Sequence, residues 1–280
     1  MSSREHPALS VVAIAKNEEV DLPGFLASFL PFADEIVIID DGSTDATALI
    51  AQRAGPKVRF ICSPRSADEG FCHQRQKGVD AAKGEWVLQV DCDMRLTPEL
   101  AAEIRAVIPQ NLHDAYRFRL QQYWMNRRVR YGGFQFWNQH WLARRSAIRG
   151  WTQKVHERLL LNVPSERIGQ LNGRMIHLND IDFLERLRKN HQYSALEVDR
   201  LIREGEQFPL HKLLTVPMHR FFRSYFLMLG FLDGGPGFAW AIYQFAGTAT
   251  IYLMGWSRLK GGNRAELDTK TPSALTDALR

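Results

Sequence analysis

Apolar positions along this chain follow two periods, and the period changes once. In the first part, short runs of strand-forming residues alternate with stretches of helical spacing. Leu9 to Ala15 predicts a strand; after the polar break Lys16-Asn17-Glu18-Glu19, the residues Val20, Leu22, Phe25, Leu26 and Phe29 mark one face of a helix. Glu35 to Ile39 predicts the next strand, which runs into Asp40-Asp41-Gly42-Ser43-Thr44-Asp45. Gly42 supplies a turn there, and Ser43, Thr44 or Asp45 caps a helix over Ala46 to Ala54. Lys57 to Ile61 is a third strand, a helix lies within Gly70 to Ala82, and Trp86, Val87, Leu88 and Val90 make a fourth, buried strand. Strands alternating with helices predict a mostly parallel, doubly wound α/β sheet with right-handed crossovers.

Thr97-Pro98 then opens a helix, and Asp114 to Tyr123, Arg128 to Tyr131, Phe136 to Ala143 and Arg174 to Leu178 read as further strands. From Ile181 the period lengthens: Leu184, Leu187, His191, Ala195, Val198 and Ile202 line one face of a long helix. Leu210 to Leu232 and Phe238 to Leu259 are two more helical stretches, rich in aromatic residues. The second has about the minimum length of a membrane span but carries Gln244, which favours a helical hairpin packed on the α/β domain or lying at a bilayer surface. His219, Arg220 and Arg223 among Phe221, Phe222, Tyr225 and Phe226 suit a segment touching anionic lipid; an aromatic core helix is the competing reading. The expected organisation is an α/β domain over 8–180, a helical region over 181–259 and a loose tail over 260–280.

Composition narrows the class without choosing a function. At 280 residues, 45% hydrophobic and 24% charged, the chain is an ordinary globular protein able to bury a full core. Its three cysteines, Cys62, Cys72 and Cys92, have no C-x-x-C spacing, which argues against a disulfide framework or a structural zinc site and for a reducing, cytoplasmic home. The apolar run Ala8 to Ala15 is too short for a membrane span and has no cleavage signature, so it reads as the first strand. A net charge of +5 permits anionic partners such as nucleic acid, phosphorylated sugars or a lipid surface, and selects none of them.

The candidate chemistry sits where strands end. Asp91 and Asp93 follow the Trp86 strand, at the carboxyl edge where ligands bind in open α/β sheets. Carboxylates one residue apart repel each other unless water or a cation separates them. They read either as a solvated acidic turn or as a hard-metal site, with Mg²⁺ or Mn²⁺ carrying phosphate oxygens. A second acidic terminus, Asp40-Asp41, lies on the same edge, and together the two look like a nucleotide-diphosphate site. The G-x-x-x-x-G-K-[ST] cradle is absent, and His156-Glu157 does not continue as H-E-x-x-H. Arg127, Arg128, Arg130, Arg144, Arg145 and Arg149 form either a solvated face or receivers for phosphates and carboxylates.

SVVAIAKNEE, EIVIIDDGSTD and EGFCHQRQKGVDAAKGEWVLQVDCD together resemble the GT-A nucleotide-sugar glycosyltransferases of family 2. VHERL, the I-x-L-x-G-x-M-I-H-L run and FFRSYFLMLGFLDGGPGFAWAIYQF resemble, within that family, the branch of lipopolysaccharide inner-core glucosyltransferases. The resemblance implies a UDP-sugar donor, glucose foremost, a glycan or glycolipid acceptor, Mg²⁺ or Mn²⁺, and no nucleic-acid partner. It implies that the Asn17 loop and Asp41 contact the nucleotide, with Asp40 buttressing the turn. Arg75 would lie along the diphosphate, Asp91 would meet the ribose and the metal shell, and Asp93 would ligate the metal. His177, arriving from the Arg174 to Leu178 strand, reads either as a third metal ligand or as a structural histidine. Inverting transfer needs a base for the acceptor hydroxyl, and Glu157 is the expected one, ahead of Glu166, Asp180 and Asp182. The chain departs from the family pattern at Gln76, where Asn is usual, and at Cys92 and Met94 in place of Ala and Glu; loss of the acidic residue at 94 would bear on metal preference or donor fit. A nucleotidyltransferase and a non-catalytic sugar- or membrane-binding scaffold are the alternatives. Peripheral contact with the inner face of the cytoplasmic membrane is the expected location of any lipid binding.

Overall fold

The computed structural model describes residues 8–66, 69–151, 158–179 and 182–262. Its strands are β1 (Leu9–Ala15), β2 (Glu35–Asp40), β3 (Val58–Cys62), β4 (Trp86–Gln89), β5 (Met94–Arg95), β6 (Ala115–Trp124), β7 (Arg127–Val129), β8 (Asn138–Arg144), β9 (Ile148–Trp151), β10 (Leu159–Leu161) and β11 (Ile168–His177). Its α-helices are α1 (Leu22–Phe29), α2 (Thr47–Arg53), α3 (Phe71–Ala81), α4 (Pro98–Val107), α5 (Phe183–Arg203), α6 (Lys212–Phe222) and α7 (Gly235–Lys260). Among the described residues nine strands share one sheet in the order β3-β2-β1-β4-β8-β6-β11-β5, with β7 on β6; β9 and β10 form a separate antiparallel pair.

The β3-β2-β1-β4 half is parallel, as expected from the alternating pattern. The other half is mixed: β8 runs antiparallel to both β4 and β6, β11 is parallel to β6, and β5 is antiparallel to β11. The twofold side-chain period sorts β1 onto two cores. Val11, Ala13 and Ala15 join α1, α2 and α4 through Leu22, Phe25, Ala51, Leu100 and Ile104. Val12 faces the other way, with Val79 and Ala82 of the α3 layer. Helices therefore cover both faces of the parallel half, and its carboxyl edge is left to loops.

Thr97 caps α4, its hydroxyl accepting from the Leu100 amide at 3.2 Å, with Pro98 in the first turn. The described residues divide into two compact units, one within Met1–Arg128 and Phe134–Asn179, the other within Val129–Gly133 and Asp180–Arg280. The second unit holds α5, α6 and α7. Between α6 and α7 the chain passes through a π-helical turn, Arg223–Leu227, and a 3₁₀ turn, Gly230–Asp233. Among the described residues no helix is long and apolar enough to cross a membrane. The tail beyond Gly262 lies outside the described residues.

Candidate active site

The first acidic terminus is a turn that holds itself together. Asp40 is buried, and its carboxylate accepts from the amides of Gly42 at 3.0 Å and Ser43 at 2.9 Å and from the Ser43 hydroxyl. Gly42 adopts φ +77°, a conformation that costs a residue without a Cβ little. Asn17, also left-handed at φ 57°, ties this turn to the end of β1. Its amide donates to the Ser43 hydroxyl at 2.8 Å, and its side-chain oxygen accepts from the Thr44 amide at 2.8 Å. Asn17 and Asp40 thus spend hydrogen bonds on shaping the loop, whereas Asp41 is the carboxylate held beside cations. It accepts from the Arg65 amide at 2.6 Å and the Arg65 Nε at 2.9 Å, with Lys16 Nζ at 3.4 Å. Burial pushes its pKa up, but the Arg65 hydrogen bonds and the Arg65 and Lys16 charges outweigh that and hold it below the usual carboxylate range.

The second terminus is built from two separate pairs. Alternation past β4 turns Cys92 into the core, 2% exposed, and leaves Asp91 and Asp93 partly accessible. Burial, followed by the surrounding carboxylates, raises the Cys92 thiol well above its ordinary pKa, so it is an inert filler. Met94 is fully buried with the main core. The residue that stands at 94 in place of the usual acid is thus a packing residue. Asp91 Oδ1 pairs with Arg75 Nη2 at 2.8 Å, and the guanidinium lies 5.6 Å from the Trp151 ring centre. A side chain only 12% exposed, fixed by an ion pair and an aromatic face, keeps its donors in one orientation.

Asp93 meets His177. The two-residue strand β5 pairs with β11, placing His177 opposite Met94, and the Leu178 amide donates to the Asp93 carbonyl at 3.0 Å. His177 Nε2 then lies 3.1 Å from Asp93 Oδ2. On its other side, Gln122 Oε1 is 2.9 Å from His177 Nδ1. Asn179 Nδ2 donates to that same oxygen at 2.8 Å and to the Tyr123 carbonyl at 2.7 Å, which fixes the orientation of the Gln122 amide. Nδ1 therefore donates to Gln122, and Nε2, facing Asp93, either donates a proton to that carboxylate or, once deprotonated, shares a cation with it. This is the second-shell arrangement that orients metal-binding histidines.

An imidazole nitrogen and a carboxylate oxygen at this separation suit adjacent positions on a small octahedral cation, whose ligand distances of about 2.1 Å put neighbouring ligands roughly 3 Å apart. Among the described residues no three His, Cys, Asp or Glu side chains converge on one point. Two protein ligands are enough for Mg²⁺ or Mn²⁺, which keep waters and substrate phosphates in the other positions. The residues present therefore fit such an ion as a partial shell.

Glu157 lies outside the described residues, as does Asp180. Among the described residues, Leu159 pairs with Trp151, the residue whose ring faces Arg75. The arginine set divides. Arg144 and Arg145 bond at the opposite end of β4 from the acidic edge, to Glu85 and to the Gly84 carbonyl. Arg127, Arg128, Arg130 and Arg149 are exposed. Sequence reasoning missed Arg65, Trp151, Gln122 and Asn179. Of these only Asn179 left a trace, an Asn directly after a strand, where a left-handed residue is common.

Three comparisons bear on this geometry. A profile described as glycosyl transferase family 2 matches residues 10–161, from β1 through β10. The lipopolysaccharide core biosynthesis glycosyltransferase LpsC of Rhizobium meliloti is 30% identical over 263 residues, covering 87% of this chain and 92% of that protein. An uncharacterized glycosyltransferase of Rickettsia typhi is 26% identical over 82% of this chain and 80% of its own. The solved structure of S. aureus TarS 1-349 superposes with a TM-score of 0.47 at 16% identity, covering 91% of this chain and 92% of that one, a likeness too distant to add to the assignment. By its profile match and its LpsC likeness, the chain belongs to glycosyl transferase family 2.

Proposed function

We propose that this glycosyltransferase moves a sugar, with inversion, from a UDP-sugar to a lipopolysaccharide-core or related bacterial surface glycan. The observation that carries the reading is the end of β4, where Asp91 is paired with Arg75 and Asp93 with His177. β2 and β4 are separated by β1 alone, so Asp41 stands roughly 10 Å from this point at the usual strand spacing. That span suits a nucleoside diphosphate, with the Asn17 loop and Asp41 at the nucleoside and Arg75 along the diphosphate. Asp91 meets the ribose and the outer part of the metal shell. Mg²⁺ or Mn²⁺, held by Asp93 and His177, would supply Lewis-acid stabilisation of the departing diphosphate. Arg75 adds fixed positive charge to the same leaving group, already oriented before substrate arrives.

Glu157 takes the proton of the acceptor hydroxyl as that oxygen bonds to the anomeric carbon. The bond from that carbon to the diphosphate oxygen breaks on the opposite face, and the configuration inverts. The name of the LpsC relative supports the acceptor class, and glucose remains the donor sugar to try first. The experiment is a UDP-release assay with a panel of UDP-sugars and lipopolysaccharide-core acceptors, run with Mn²⁺, with Mg²⁺ and with EDTA. Metal-dependent release with one UDP-sugar, abolished in Asp93→Ala, is the expected result. Release that survives both EDTA and Asp93→Ala would reject the metal assignment.

A further inference from the structure

We propose that the turn joining α6 to α7, with the exposed face of α6, is a docking surface for an anionic lipid bilayer. α6, the turn before it and the π-helical turn after it carry two adjacent rows at about the spacing of one helical turn. Leu210, Leu214, Met218, Phe222 and Phe226 form an apolar row, and every member is exposed, from Leu210 at 68% to Met218 at 38%. The neighbouring row is His211, Thr215, His219 and Arg223, all exposed, with Arg220 exposed beside it. The opposite side, including the buried Pro217 and Ser224, is taken up by packing within the unit. An apolar stripe bordered by cations is the pattern of a helix lying in a headgroup layer.

The turn itself presents apolar side chains at a backbone cost. Leu227 is 76% exposed and Leu232 54%, with Leu229 and Phe231 also exposed between them. Leu229 adopts φ 59°, ψ 24°, a left-handed conformation unfavourable for a bulky side chain. The turn is nevertheless tightly held. Asp233 Oδ2 accepts from the amides of Arg130 and Tyr131 at 2.8 Å each, and the Gly132 amide donates to the Met228 carbonyl at 2.8 Å. A Cβ on Gly237 would stand 1.8 Å from the Gly230 carbonyl oxygen, so the start of α7 is locked against the turn. Backbone strain kept in a rigid turn whose leucines face outward points to a use for those leucines.

Charge selects the occupant. From Gln207 to Leu232 there is no Asp or Glu, while Arg220 and Arg223 are cationic; Lys212 is paired with Glu206 at 2.8 Å and adds no charge to the surface. The one acid that follows, Asp233, is occupied by backbone amides. A second copy of this face would set like charges against each other, whereas a bilayer containing anionic phospholipid satisfies both rows. Because lipid insertion is distinct from sugar transfer, this surface stands or falls independently of the reading of the donor site.

The test is co-sedimentation of the full chain with vesicles of phosphatidylcholine alone or with phosphatidylglycerol, at low and high salt. The expected result is binding to the anionic vesicles that weakens as salt rises. The double variant Leu227→Asp/Leu232→Asp should lower the partition coefficient by on the order of tenfold or more, and Arg220→Glu/Arg223→Glu should remove the preference for phosphatidylglycerol. Both pairs are exposed, so the thermal transition should stay near wild type, and UDP binding serves as an independent check that each variant is folded. Absence of binding to anionic vesicles at low salt would overturn the proposal. So would unchanged binding of both folded variants, or a dimer in solution that Leu227→Asp/Leu232→Asp dissociates.

Discussion

The two ends of β4 carry similar residues arranged to opposite effect. At the amino end, Arg144 reaches Glu85, Asp114 Oδ1 at 3.2 Å and Asn111 Oδ1 at 2.5 Å, and its guanidinium lies 4.8 Å from the Trp86 ring centre. Asp114 in turn takes two hydrogen bonds from Arg167, at 2.8 and 2.9 Å, which lead the depression of its pKa. Cations and carboxylates there satisfy one another in a closed network. At the carboxyl end, Arg75 and Asp91 form one pair and Asp93 and His177 another, with the two carboxylates one residue apart. The contrast teaches that an arginine beside an aspartate is not a site in itself. What marks a site is like charge gathered at a sheet edge and held by second-shell contacts that serve an incoming group.

The largest effect that would sharpen this contrast is chemical. Glu157→Gln keeps the side-chain shape and removes the proton acceptor, so kcat should fall on the order of 10²- to 10⁴-fold with UDP-sugar affinity near wild type. Single-turnover kinetics beside equilibrium donor binding would measure both. Turnover within a few-fold of wild type would move the base to Asp180, Asp182 or Glu166.

A smaller effect isolates the second shell. Gln122→Leu removes the acceptor that keeps the His177 Nδ1 proton in place, and should weaken Mn²⁺ affinity by about 10- to 100-fold. Mn²⁺ binding to the protein without donor, followed by electron paramagnetic resonance, reads this directly. Unchanged affinity would mean that His177 has no part in holding the ion.

The smallest effect concerns the first acidic turn. The depressed Asp41 pKa means that its pairing with Arg65 stabilises the fold above the ordinary aspartate range, and that this contribution is lost as pH falls through the lower folded-state value. Arg65→Met should therefore flatten the acid limb of the stability curve below about pH 4 and leave the slope near neutrality unchanged. Denaturant titrations across that range check it; an unaltered acid limb would place the stabilisation of Asp41 elsewhere.

Much of this arrangement was legible in the sequence because it is local. β1, β2 and β4 are apolar runs bounded by polar breaks, and Asp41, Asp91 and Asp93 follow their ends directly. The pairing of Asp93 with His177 was not legible, since it depends on β5, two residues long, finding a strand more than seventy positions away. Gln122 and Asn179 enter through the parallel β6–β11 register, which no periodicity specifies. The role of Arg144 stayed open between a solvated face and a phosphate receiver because charge composition cannot distinguish a closed network from either. The burial of Met94, by contrast, follows from the pleat that turns it into the core.

The central claim is that the carboxyl end of β4 binds the donor and the amino end only supports the fold. Calorimetric titration of UDP-sugar in the presence of Mn²⁺ tests it on two variants, Asp93→Asn and Arg144→Met. The account predicts that Asp93→Asn abolishes the Mn²⁺-dependent part of donor affinity with stability nearly unchanged. It predicts that Arg144→Met costs about 2 kcal/mol of stability, as expected when a hydrogen-bonded charge is removed from its partners, and leaves donor affinity at the wild-type value. Equal donor affinities in wild type and Asp93→Asn, or a loss of affinity in Arg144→Met while it remains folded, would contradict it.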